Sequence, residues 1–97
     1  MKPTEKEFRK HICKAAIGEW KSVCTYLGIN KPTVQRLQEE NPNNISEAFF
    51  GCLCHWLEGN ADELISITWN TLLEALKDAE LKQLAEELRR KLLEGSL

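Results

Sequence analysis

No stretch of this 97-residue sequence stays apolar for the ~18 residues that a membrane-spanning helix needs. Residues 1–10, MKPTEKEFRK, lack the apolar segment of a secretory signal and hold too much acid for a transit peptide. Whether the chain is an excised piece of a longer protein stays open. No strand-like alternation, internal repeat or low-complexity linker is present, which leaves an all-helical reading. Paired C-x₂-C spacings and a glycine-rich phosphate loop are missing too, and Ser22, Ser46 and Ser66 lack the setting of a nucleophile. His11 and His55 fall on different predicted helices. Cys52-Leu53-Cys54-His55 is the one arrangement that invites a metal, but on a helix Cys52 and Cys54 point roughly 200° apart and cannot easily ligate one ion. The expectation is therefore no catalytic residue, no cofactor, no metal and no small-molecule substrate.

What is present suits one small globular domain over residues 1–97, with 42% apolar and 29% charged residues. Cys13, Cys24, Cys52 and Cys54 each sit in an apolar helical pattern rather than a loop, so they read as reduced core residues of an intracellular protein. The net charge is −2, unevenly spread: residues 1–38 carry eight basic and three acidic groups, residues 39–97 five basic and twelve acidic. If the two halves occupy different faces the molecule is dipolar; interleaved folding would cancel this.

Periodicity and caps predict six helices, about 5–16, 19–27, 31–39, 46–57, 67–78 and 81–93. Thr4-Glu5-Lys6-Glu7 has the form of a capping box, with Phe8, Ile12 and Ala15 or Ala16 inward. Trp20, Val23, Cys24 and Leu27 form a second stripe that stops at Gly28. Asn30 with Pro32 opens a third helix with Val34 and Leu37 inward. Asn41-Pro42-Asn43-Asn44 is a turn, and Phe49, Cys52, Leu53, Trp56 and Leu57 line the fourth helix up to Gly59. Ser66 is the expected cap of the fifth. From Cys52 to Leu88 the periodicity is densest. Trp69, Leu72, Leu73 and Leu76 make one stripe, and Leu81, Leu84, Ala85, Leu88 and Leu92 another, roughly 115° away. A continuous helix would carry Glu80 into the first stripe, so the chain should break near Asp78 to Glu80 although neither glycine nor proline stands there.

Trp20 with Leu27-Gly28-Ile29, Asn41-Pro42, Leu53 with Trp56-Leu57, Thr68-Trp69-x-x-Leu72-Leu73-x-Ala75-Leu76 and Leu81-x-x-Leu84-Ala85-Glu86-x-Leu88 together resemble a death domain. The resemblance covers essentially the whole chain in order. It implies an all-α, six-helix antiparallel bundle of Greek-key topology. It also implies a non-enzymatic cytoplasmic module, alone or as the intracellular part of a larger protein, that binds other death-domain proteins and copies of itself in apoptotic or innate-immune signalling, often as an adaptor. By position, family contacts would fall on Arg9, Lys10 and Lys14, on Lys31, Gln35 and Arg36, and on Glu58, Asp62 and Glu63. Two alternatives remain at this stage. One is a small helical nucleic-acid-binding domain using Lys31, Gln35 and Arg36, against which the sequence pI near 5.7 argues. The other is a structural death-fold module that does not self-associate.

Overall fold

Thr4 starts the first helix by accepting the Glu7 N–H at 3.4 Å, while the Glu7 carboxylate takes the Thr4 N–H at 2.9 Å. This capping box opens α1 (Glu5–Glu7), which continues directly into a π-helical turn, Phe8–Ile12. The computed structural model describes residues 2–61, 63 and 66–96. Beyond α1 follow a 3₁₀ turn (Ile17–Glu19), α2 (Trp20–Tyr26), α3 (Lys31–Glu40), α4 (Ile45–Leu57), α5 (Trp69–Asp78) and α6 (Lys82–Leu93). The described residues thus form six helices and no strand.

Where the first helix was expected to be regular, the Cys13 N–H reaches back five residues to the Phe8 carbonyl at 2.9 Å. A π turn advances each residue by roughly 80° rather than 100°, which brings Phe8, Ile12 and Cys13 into one inward arc. All three are buried, as is Ala16, while Ala15 is exposed. Ala16 therefore takes the inward place.

α5 packs along α6, α3 along α4, and α2 against both α4 and α5. The core between them holds all three tryptophans, with tilted ring pairs Phe8–Trp56 at 6.3 Å and Trp20–Phe49 at 6.2 Å between centroids. Such pairs add about 0.5–1.5 kcal/mol beyond the area they bury. Val34 is buried and Leu37 half-buried, the two inward residues expected of α3.

α2, α4, α5 and α6 end alike. In each, the first residue past the cap adopts positive φ, and the next N–H bonds back five residues: Ile29 to Cys24, Asn60 to His55, Leu81 to Leu76, Ser96 to Lys91. Three of these ends use Gly28, Gly59 and Gly95; the fourth uses Glu80, at φ 67°. The break between α5 and α6 thus falls at Ala79–Leu81, as the two stripes required, and Glu80 is exposed.

Four starts differ from expectation, α2 and α6 by beginning one residue late, at Trp20 and Lys82. α4 begins at Ile45 because Asn44 caps it, accepting the Glu47 N–H at 3.1 Å. α5 begins at Trp69, capped by Thr68 rather than Ser66: Thr68 is extended and its hydroxyl accepts the Thr71 N–H at 3.1 Å. Ser66 instead meets the Thr71 hydroxyl at 2.6 Å. β-Branched Ile67 and Thr68 favour extended backbone, which delays the helix by two residues.

Candidate protein-interaction surface

α2 and α3 are joined only by Leu27–Asn30 and diverge from that turn, leaving a groove of about 470 Å³. Lys21, Ser22, Thr25 and Tyr26 line it from α2, and Lys31, Val34 and Gln35 from α3. Of the expected contact residues, the groove thus gathers Lys31 and Gln35. Arg36 points elsewhere on the same helix and reaches Glu40 at 3.4 Å, while the Gln35 amide donates to Glu39 at 3.1 Å. Tyr26 is 49% exposed, one of three large apolar or aromatic residues among those described that stand out from the surface. Sequence reasoning passed over it because attention went to the stripe Trp20, Val23, Cys24 and Leu27. An aromatic residue on the opposite, polar face of the helix was the available signal.

Of the second basic set, Arg9 and Lys10 sit on the first helix and Lys14 in the turn that follows it. Arg9 is fully engaged, giving two parallel hydrogen bonds to Glu47 at 2.9 and 3.2 Å, with its guanidinium 3.7 Å from the centre of the Phe50 ring. The hydrogen bond and the nearby cation hold the Glu47 carboxyl below the usual carboxylate range and raise Arg9 further. Lys10 and Lys14 are exposed and form no ion pair with a described residue. Lys10 and His11 edge a shallower recess with Thr4, Lys6, Glu7 and Ser96, where partial burial and then Lys91 and Lys10 lower the His11 pKa. The Arg9–Glu47 bridge joins one residue from the basic half of the sequence to one from the acidic half.

The acidic set follows α4. Glu58 is the C-cap residue of that helix and exposed. Glu63 is exposed as well, and its backbone N–H donates to the Gly28 carbonyl at 3.1 Å, tying this segment to the α2–α3 turn. Asp62 lies outside the described residues. Rather than occupying an opposed face, Glu63 neighbours the helix that carries Lys31.

Cys13, Cys24 and Cys52 are buried and Cys54 half-buried, all as free thiols. Burial pushes Cys13 and Cys54 up to about 11, and Cys24, buried beside Cys52, higher still. Thiols held this far from ionisation are poor nucleophiles and poor ligands at neutral pH. Among the described residues no group of three or more His, Cys, Asp or Glu is placed to hold a metal ion, and no helix is long and apolar enough to cross a membrane.

The sequence matches the family model described as Death domain over residues 5–92 of the 97. No curated protein and no solved structure matches it. Domains of this family generally mediate homotypic protein–protein interactions and are not enzymes. The match spans nearly the whole chain, whose described residues form six helices: this chain belongs to the death-domain family.

Proposed function

We propose that this chain, as a single death domain spanning residues 1–97, is an adaptor-type interaction module in cytoplasmic signalling of the apoptotic or innate-immune kind. It joins other death-domain proteins, and copies of itself, through charged surfaces. The observation that carries the reading is the pattern of exposed charge on the family's bundle. Lys10, Lys14 and Lys31 stand exposed without an ion pair to any described residue, while Glu58 and Glu63 present carboxylates from the segment after α4. Unlike patches on one molecule suit head-to-tail association, in which one copy's basic patch meets the next copy's acidic one. Charged rims steer such encounters and are screened beyond about 8 Å at physiological salt.

Light scattering of the purified chain, alone and mixed with candidate death domains, across a salt series tests this. Association should weaken as salt rises, and weaken further in Lys31→Glu and in Glu63→Lys. Combining the two substitutions on separate partners should restore part of it. Association indifferent to salt and to both substitutions would sink the charge-driven reading.

A further inference from the structure

We infer that the groove between α2 and α3 docks an acidic linear peptide, with one bulky apolar side chain held between two carboxylates. This goes beyond homotypic association, since the occupant is a short segment rather than a folded domain.

The groove is concave, and its volume lies in the range that encloses a few side chains rather than a flat domain face. Its apolar lining is Val34, 5% exposed, with the aromatic Tyr26, 49% exposed. A half-exposed aromatic ring in a recess is the kind of group that anchors an apolar partner side chain. Lys21 and Lys31 supply the charge, and among the described residues no carboxylate lines the groove. Since only four residues connect the helices, Tyr26 and Lys31 lie at the joined end, and Lys21 and Gln35 at the far end. The two ammonium groups therefore flank the apolar floor, one on each wall.

That arrangement sets the spacing of the ligand. Lys21 and Tyr26 are five residues apart on α2, roughly 7.5 Å along the helix. An extended peptide covers this in about two to three residues. A peptide of that reach, with an apolar residue between two carboxylates, would set an acid near each end of the groove and the apolar residue over its floor. A free phosphate would leave the floor uncovered. A nucleic-acid strand needs a longer run of cations than the two that line this groove.

Fluorescence anisotropy with the full chain tests the assignment. The probe is a fluorescein-labelled ten-residue peptide with one leucine between two glutamates three positions apart, in a glycine–serine background. Saturable binding is expected, weakened by about tenfold or more when the glutamates become glutamines, when the leucine becomes serine, and in Lys21→Glu and Tyr26→Ser. Both substituted residues are exposed, and circular dichroism checks that each variant keeps its helices. Absence of saturation at about 1 mM, or any of these losses falling short of about tenfold, overturns the proposal. So does tighter binding of a labelled duplex DNA, which would put nucleic acid in the groove instead. Light scattering of Tyr26→Ser separates the two readings: unchanged self-association keeps the homotypic one alive even where the peptide fails to bind.

Discussion

Arg9 holds Glu47 across 38 positions of sequence by two hydrogen bonds, clamping the first helix to the start of α4, with Phe50 beneath the guanidinium. Both side chains stay about half-exposed, so salt should weaken the clamp. Removing Arg9 to test association therefore also loosens the bundle, whereas the nearby Lys10 and Lys14 form no ion pair with a described residue.

Chemical denaturation of Arg9→Ala, Glu47→Gln and the double variant should show a positive coupling that shrinks at about 1 M salt, while Lys10→Ala and Lys14→Ala leave stability nearly unchanged. Arg9→Lys should lose most of the coupling, because an ammonium cannot make the paired bonds of the guanidinium. The pH dependence has a definite sign. The Glu47 carboxyl is lowered in the fold, so its contribution is present above the ordinary carboxylate value and lost as pH falls through the lowered one. Glu47→Gln should remove that part of the acid limb.

His11 adds a second pH effect, in the same direction for a different reason. Burial, then Lys91 and Lys10, disfavour its protonation in the fold, against weaker support from Glu7 and Glu87. The unfolded chain takes up that proton first. Stability from neutral His11 is thus full above about pH 6.5 and lost as pH falls through the lowered folded value. An NMR titration should place His11 below the ordinary histidine range, and Lys91→Gln should move it back up.

Glu80→Gly should stabilise the chain by up to about 1 kcal/mol, since glycine tolerates the positive φ that three of the four equivalent helix ends already assign to it. Gly59→Ala is the reverse experiment and should destabilise by about 1 kcal/mol. A Cβ there meets nothing closer than Ile67 Cδ1 at 3.8 Å, so the loss is backbone strain rather than collision. Urea denaturation measures both.

The thiols should resist modification in the native state. With pKa values of about 11, Cys13 and Cys54 are only about one-thousandth ionised at pH 8. A disulfide reagent should label the native chain slowly, Cys54 first because it alone is half-exposed, and reach all four thiols only in denaturant. Rapid native labelling of two or more would contradict the burial described above.

Much of the bundle was legible in the sequence, and the reason lies in particular residues. Trp69, Leu72, Leu73 and Leu76 point one way and Leu84, Ala85 and Leu88 another, so packing alone demanded a break at Glu80 with no glycine to announce it. Thr4 and Asn30 capped as read, because their partners lie three residues away. Thr68 displaced Ser66 since competing hydroxyls differ only in the backbone each adopts. The Arg9–Glu47 pair was out of reach because nothing local links residues 38 positions apart. The groove was half visible: Lys31 and Gln35 were singled out by position on the third helix, but the pairing of α3 with Tyr26 and Lys21 of α2 is decided only by the assembled bundle.

The π turn between Phe8 and Ile12 has a consequence for how this chain tolerates change in length. One residue is stored there as a widened coil, without lengthening the chain's path to the 3₁₀ turn that leads into α2. Deleting Lys10, the exposed residue of that turn other than Arg9, would let the coil close to an ordinary helix in which Cys13 stands four residues from Phe8 and stays on the inward arc, leaving both sides in register. Inserting one has no such slack to draw on. The first helix is therefore an asymmetric joint, forgiving of subtraction and intolerant of addition.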